Sequence, residues 1–191
     1  MSKKPPKHSE ANRVRQSAAL RMREGWGSTR PHPSLRIKPA RHLIVSEGSK
    51  TEPYYFSEVS RRVNSIFHGR YVSVDVEGIG MNTVSLFERA RALAQGSAAG
   101  YTHVWVVYDR DSFPTDDFNS VVDLCSNENS CEAEFHAIWT NEAFELWYLL
   151  HFEYLQAALS RKDYAPKLSS YLAQRKLGKY AKNRKDMFNI L

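Results

Sequence analysis

Two short acidic segments each follow an apolar run. His42-Leu43-Ile44-Val45-Ser46 leads into Glu47, Gly48, Ser49, Lys50, Thr51 and Glu52, and Val104-Trp105-Val106-Val107-Tyr108 leads into Asp109, Arg110 and Asp111. Runs of this length and composition read as buried strands, so Glu47, Asp109 and Asp111 stand where strands should end. In open α/β sheets ligands bind outside the carboxyl ends of the strands, which would let the acids converge on one cleft. Asp109 and Asp111 can both face it if the chain stays extended through Arg110. Carboxylates without Cys or His companions suit one or two hard divalent cations: magnesium, with manganese able to stand in.

Several neighbours could join them. Glu52 falls in the first turn of the next helix, where it either complements the helix dipole or adds a metal ligand. Glu142 and Glu145 are three apart and so share a helix face. Glu145, among Phe144, Leu146 and Trp147, needs a partner or a cation in so apolar a stretch and is assigned to the site, whereas Glu142 reads as a helix-start acid. Lys50 and Arg110 lie beside the acids and could steady a phosphate, and the Gly78-Ile79-Gly80 turn ahead of a helix resembles an anion cradle. Gly48 leaves room for close approach. His103, His136 and His151 have no Ser or Cys partner at a readable spacing and are taken as ordinary strand and helix-end residues.

The elements that must position these groups alternate regularly. His42–Ser46 reads as a strand, and Thr51 should cap a helix reaching about Ser65, with Pro53 in its first turn. A second strand covers Tyr71–Val76, where Val72, Val74 and Val76 alternate with polar residues. A helix capped by Asn82 or Thr83 then runs to about Gln95. The third strand is Tyr101–Tyr108, followed by a helix over Asp116–Cys125. Glu134–Trp139 is the fourth strand, and a helix capped by Thr140 or Asn141 runs to about Glu153. Four strand–helix alternations predict an α/β fold, a mainly parallel sheet flanked by helices. Beyond it the chain is helical in composition, with a helix starting at Pro166, a break at Gly178 and helix again over Asp186–Leu191.

Charge divides the 191 residues into three parts. Residues 1–41 carry 11 Lys and Arg against 2 Asp and Glu, residues 42–150 carry 7 against 16, and residues 151–191 carry 9 against 3. The first part, with its Pro pairs and few large apolar residues, reads as a mostly disordered basic arm with a short helix over Glu10–Arg23. Residues 42–153 make the α/β domain and 154–191 a basic helical extension. Basic flanks attract phosphate backbones without sequence preference, while an acidic centre repels phosphate unless cations neutralise it. The combination fits a metal-dependent enzyme on nucleic acid. No apolar run approaches the roughly 20 residues that span a bilayer, and no secretory h-region follows the first lysines, so a cytoplasmic protein without a membrane partner is expected. Cys125 and Cys131 read as reduced thiols.

The ordered set Leu43–Phe56, Asp109-Arg110-Asp111 and Phe144–Phe152 resembles the RloB family, from about Arg41 to the C-terminus. That resemblance implies a Toprim-like (Rossmann-like) fold and an association with restriction loci and phage defence. Toprim domains pair an early glutamate with a later Asp-x-Asp to bind magnesium for phosphoryl transfer. It therefore implies Glu47 as general acid/base or ligand, Asp109 and Asp111 as ligands, Glu52 and Glu145 as further acids, and cleavage of RNA or DNA, tRNA included, beside a companion ATPase. Ser46 stands where relatives more often have Cys or Val, and Glu142-Ala143 where they more often have Pro-Cys. Two rivals differ in class. A non-catalytic nucleic-acid-binding or regulatory subunit would use only the basic flanks, and an aspartyl-phosphate enzyme built on Asp109 would need acids after the first strand and a Lys late in the sheet, where only Glu47 is seen.

Overall fold

The computed structural model describes residues 39–68, 72–80, 83–98, 100–110, 115–156 and 159–191. The N-terminal arm, with the helix expected over Glu10–Arg23, lies outside these residues, and so does Asp111. Four strands, β1 (Ala40–Ser46), β2 (Val72–Gly78), β3 (His103–Arg110) and β4 (Glu134–Asn141), form one sheet in the order β2-β1-β3-β4. Every pairing is parallel. Between and after them run α1 (Thr51–Phe67), α2 (Thr83–Gly96), α3 (Thr115–Asn127), α4 (Glu145–Leu149), α5 (Arg161–Gln174) and α6 (Met187–Ile190). The expected α/β architecture, a Rossmann-like parallel sheet flanked by helices, is what the chain adopts.

Alternate strand residues face opposite sides, and each side has its own core. Leu43, Val45, Val104, Val106, Tyr108 and Phe135 pack against Leu86, Phe87 and Ala90 of α2 and Val121 and Cys125 of α3. Ile44, Val74 and Val107 face the other way, toward Phe144, Tyr148 and Leu149 around α4, Tyr164, Leu168 and Leu172 of α5, and Met187 of α6. Residues from α5 onward thus complete the second face of the sheet. Full burial of side chains such as Leu168 and Leu172 contributes roughly 1.5–3 kcal/mol each.

Several boundaries differ from the sequence reading. Thr51 is the first residue of α1, not its cap; Lys50 holds that position without a side-chain cap bond, and the Thr51 hydroxyl donates to the Lys182 carbonyl at 3.0 Å. Thr140 and Asn141 continue β4, because the ladder to Asp109 and Arg110 satisfies their backbone. Glu142 then takes a left-handed φ of 61°, which ends the strand and postpones the helix to Glu145, so α4 has five residues rather than a dozen. Pro166 lies inside α5, which starts at Arg161 behind the Ser160 cap, with the Ser160 N–H donating to Asp163. Lys176, at φ 61°, stops α5 two residues before Gly178: the Leu177 N–H reaches the Leu172 carbonyl and the Lys176 N–H that of Ala173, the paired bonds of a Schellman ending.

Candidate functional site

The chain leaves β1 for β2 on one side of the sheet and later returns to place β3 on the other side of β1. The carboxyl ends of β1 and β3 therefore flank a topological switch point, where a crevice opens. Glu47 follows β1 directly. Its N–H donates to the Val107 carbonyl at 2.9 Å, and its Oε2 accepts from the Asp109 N–H at 3.2 Å. The two acids are thereby tied across neighbouring strands. Ser46, fully buried, donates to the Gly48 carbonyl at 3.2 Å and steadies the turn between them.

Four acids meet here. A cleft of about 610 Å³ is lined by Glu47, Glu52, Asp109 and Glu145, with Lys50, Gly80, Arg161, Lys182 and Asn183 around them. Glu52 and Glu145 are buried, at 5% and 8% exposure. Loss of water around Glu52 is the main reason its pKa rises from 4.5 to about 7; the negative charges of Asp109 and Glu145 push the same way, against its own backbone N–H and Lys182. Burial likewise raises the pKa of Asp109, opposed by a short hydrogen bond from the Thr140 hydroxyl and by the Arg161 charge. Glu145 accepts from the Tyr180 hydroxyl at 2.8 Å. The donor set around the acids is all oxygen, and a buried carboxylate that holds its proton near neutrality is one that a divalent cation would relieve. This cluster fits magnesium or manganese by its chemistry.

The other expected residues fall differently. Lys50 lines the cleft, whereas Arg110 is exposed at the end of β3 and does not. Gly80 also lines it, but the Ile79 and Gly80 N–H groups donate to the carbonyls of Ser46 and Glu47 at 3.0 and 2.8 Å. Those amides are committed to the strand end, not turned to an anion. Gly78 is needed for packing: a Cβ there would stand 2.2 Å from Pro53 Cγ. Glu142 is no helix-start acid of α4; its carboxylate accepts from the Arg161 N–H and so fixes the start of α5. Arg161, Lys182, Asn183 and Tyr180 were not anticipated from sequence. Their signal was the basic count of residues 151–191, but nothing local shows that this segment folds back over the N-terminus of α1.

With this geometry in place, similarity to a known family can be weighed. The RloB-like protein family matches residues 42–190, which is most of the chain and all of the sheet but the first two residues of β1. The chain belongs to the RloB-like family. No curated protein and no solved structure is significantly similar to this RloB-like chain. Among its described residues, no helix is long and apolar enough to cross a membrane.

Proposed function

We propose that this RloB-like protein is a magnesium-dependent nuclease that hydrolyses phosphodiester bonds of RNA or DNA, tRNA being a candidate substrate, in a cytoplasmic antiviral defence system with a companion ATPase. One observation carries the reading: Glu47, Glu52, Asp109 and Glu145, drawn from three separated segments, line a single cleft whose rim is cationic. Asp109, Glu52 and Glu145 would hold the ion, with Asp111 as the second acid of the Asp-x-Asp pair. Glu47, bonded to the Asp109 backbone, either completes that set or takes a proton from the attacking water. Lys50, Arg161 and Lys182 would draw in and orient the phosphate. When bound, magnesium would polarise the phosphoryl oxygen and lower the pKa of its water.

Titration of magnesium and manganese into the purified protein tests this, with wild type compared to D109A/D111A by calorimetry beside a cleavage assay on mixed tRNA and plasmid DNA. Metal binding and metal-dependent cleavage should both be present in wild type and lost in the variant. Retained cleavage by the double variant overturns the assignment. Metal binding with no product under any condition, together with salt-sensitive binding of nucleic acid, favours the regulatory-subunit alternative.

A further inference from the structure

A second group of metal-ligating side chains occupies the amino-terminal end of the sheet. His103 opens β3 directly opposite Glu134 on β4, and His136 follows Glu134 by two residues, so all three side chains emerge on one face. Their ligand atoms lie within 4.8 Å of one another. His103 Nδ1 is 3.1 Å from His136 Nε2 and 3.6 Å from Glu134 Oε2, while His136 Nε2 is 4.0 Å from Glu134 Oε1. A tetrahedral ion with ligands at ~2.0–2.1 Å has them about 3.3–3.4 Å apart. The three separations bracket that figure before any side chain moves.

The surroundings fix the two imidazoles. Trp105 stacks on His136 with centroids 4.1 Å apart and planes 20° from parallel, and His42 stacks on His103 at 4.9 Å and 12°. The Trp105 indole N–H in turn donates to His42 Nδ1 at 3.2 Å, locking the platform together. Glu134 is largely exposed, with 68% of its side chain open to solvent, and can swing to meet an ion.

We propose that His103, Glu134 and His136 form a zinc-binding site whose fourth position is open to solvent. Two imidazoles and one carboxylate select a borderline transition ion, whereas the all-carboxylate cleft selects a hard one. Asp109 lies six positions beyond His103 along β3, about 20 Å along a strand, so the two sites are chemically and spatially distinct. The zinc site does not depend on the nuclease reading.

The test is calorimetric titration of zinc into the full chain, prepared without an affinity tag, stripped with chelator and kept in excess magnesium. One zinc per chain is expected. H136N and E134Q should each weaken zinc binding by more than the roughly 10–100-fold lost when an outer-shell partner is removed, while D109A/D111A leaves it unchanged. Because Glu134 is exposed, E134Q reports on the site even if H136N fails to fold. Absence of zinc binding by wild type, displacement of zinc by magnesium, unchanged affinity in E134Q, or loss of zinc in D109A/D111A would each overturn the proposal.

Discussion

The Glu52 carboxylate lies against the backbone of Gly48. A Cβ built on Gly48 would stand 2.0 Å from Glu52 Oε2 and 2.5 Å from its Cδ, with no left-handed φ at Gly48 to exclude a side chain on conformational grounds. The glycine is thus required by the acid four residues later. Gly48→Ala should expel the Glu52 carboxylate from the cluster and lower magnesium affinity about 10-fold or more, leaving the fold intact. Calorimetry beside a circular-dichroism melt checks this, and an unchanged affinity would show that Glu52 is no ligand.

Glu52 also sets a pH dependence. Its pKa rises from 4.5 to about 7, mainly through burial, so the folded, metal-free protein holds that proton more tightly than the unfolded chain does. The associated stability is fully present below about 4.5 and is lost as pH climbs to about 7. At ~1.4 kcal/mol per pH unit, the loss is at most on the order of 3 kcal/mol. Glu52→Gln should flatten this decline and stabilise the metal-free protein at pH 8, as read from urea midpoints in chelator across pH 4.5–8. Magnesium should do the same for wild type, because an ion offsets the charge that burial disfavours. A wild-type midpoint that climbs through this window would reverse the sign and refute the account.

The sequence made the sheet and its acids readable for local reasons. His42–Ser46 and Val104–Tyr108 are apolar runs that end on carboxylates, and strand parity alone sends Asp109 to the face opposite Val104, Val106 and Tyr108. What stayed hidden depends on contacts distant in the chain. Thr140 reads as a helix cap until β4 is paired with β3, when its hydroxyl proves to bond Asp109. His103 and His136 look ordinary because they are 33 residues apart, and only the β3–β4 register brings them together. Tyr180 and Lys182 sit in a polar stretch that reads as surface until the Thr51–Lys182 bond pins it beside the cleft.

Tyr180 offers a test of that fold-back. Its hydroxyl donates to buried Glu145 at 2.8 Å, and a hydrogen bond to a charged group contributes roughly 1.5–3 kcal/mol. Tyr180→Phe keeps the ring among its neighbours and removes only the donor. Denaturation of the metal-free variant should show a loss of about 1–3 kcal/mol, shrinking once magnesium takes over as partner to the carboxylate. A loss that magnesium leaves untouched would place Glu145 outside the metal set.

The cationic rim should act on substrate rather than on the ion. Lys182 lies close enough to Glu52 to hold its pKa down, and Arg161 does the same for Asp109, so neither charge helps a cation to bind. Both line the cleft beside the acids, where a positive charge can meet a phosphate. Each phosphate contact adds about 0.7–0.9 to the slope of log affinity against log salt. Lys182→Ala and Arg161→Ala should therefore each lower that slope by about one while magnesium affinity stays level or rises. Fluorescence anisotropy of labelled RNA and DNA across a salt series measures the first, and calorimetry the second. An unchanged slope with weakened magnesium binding would instead mean that these side chains serve only to hold the cleft in shape.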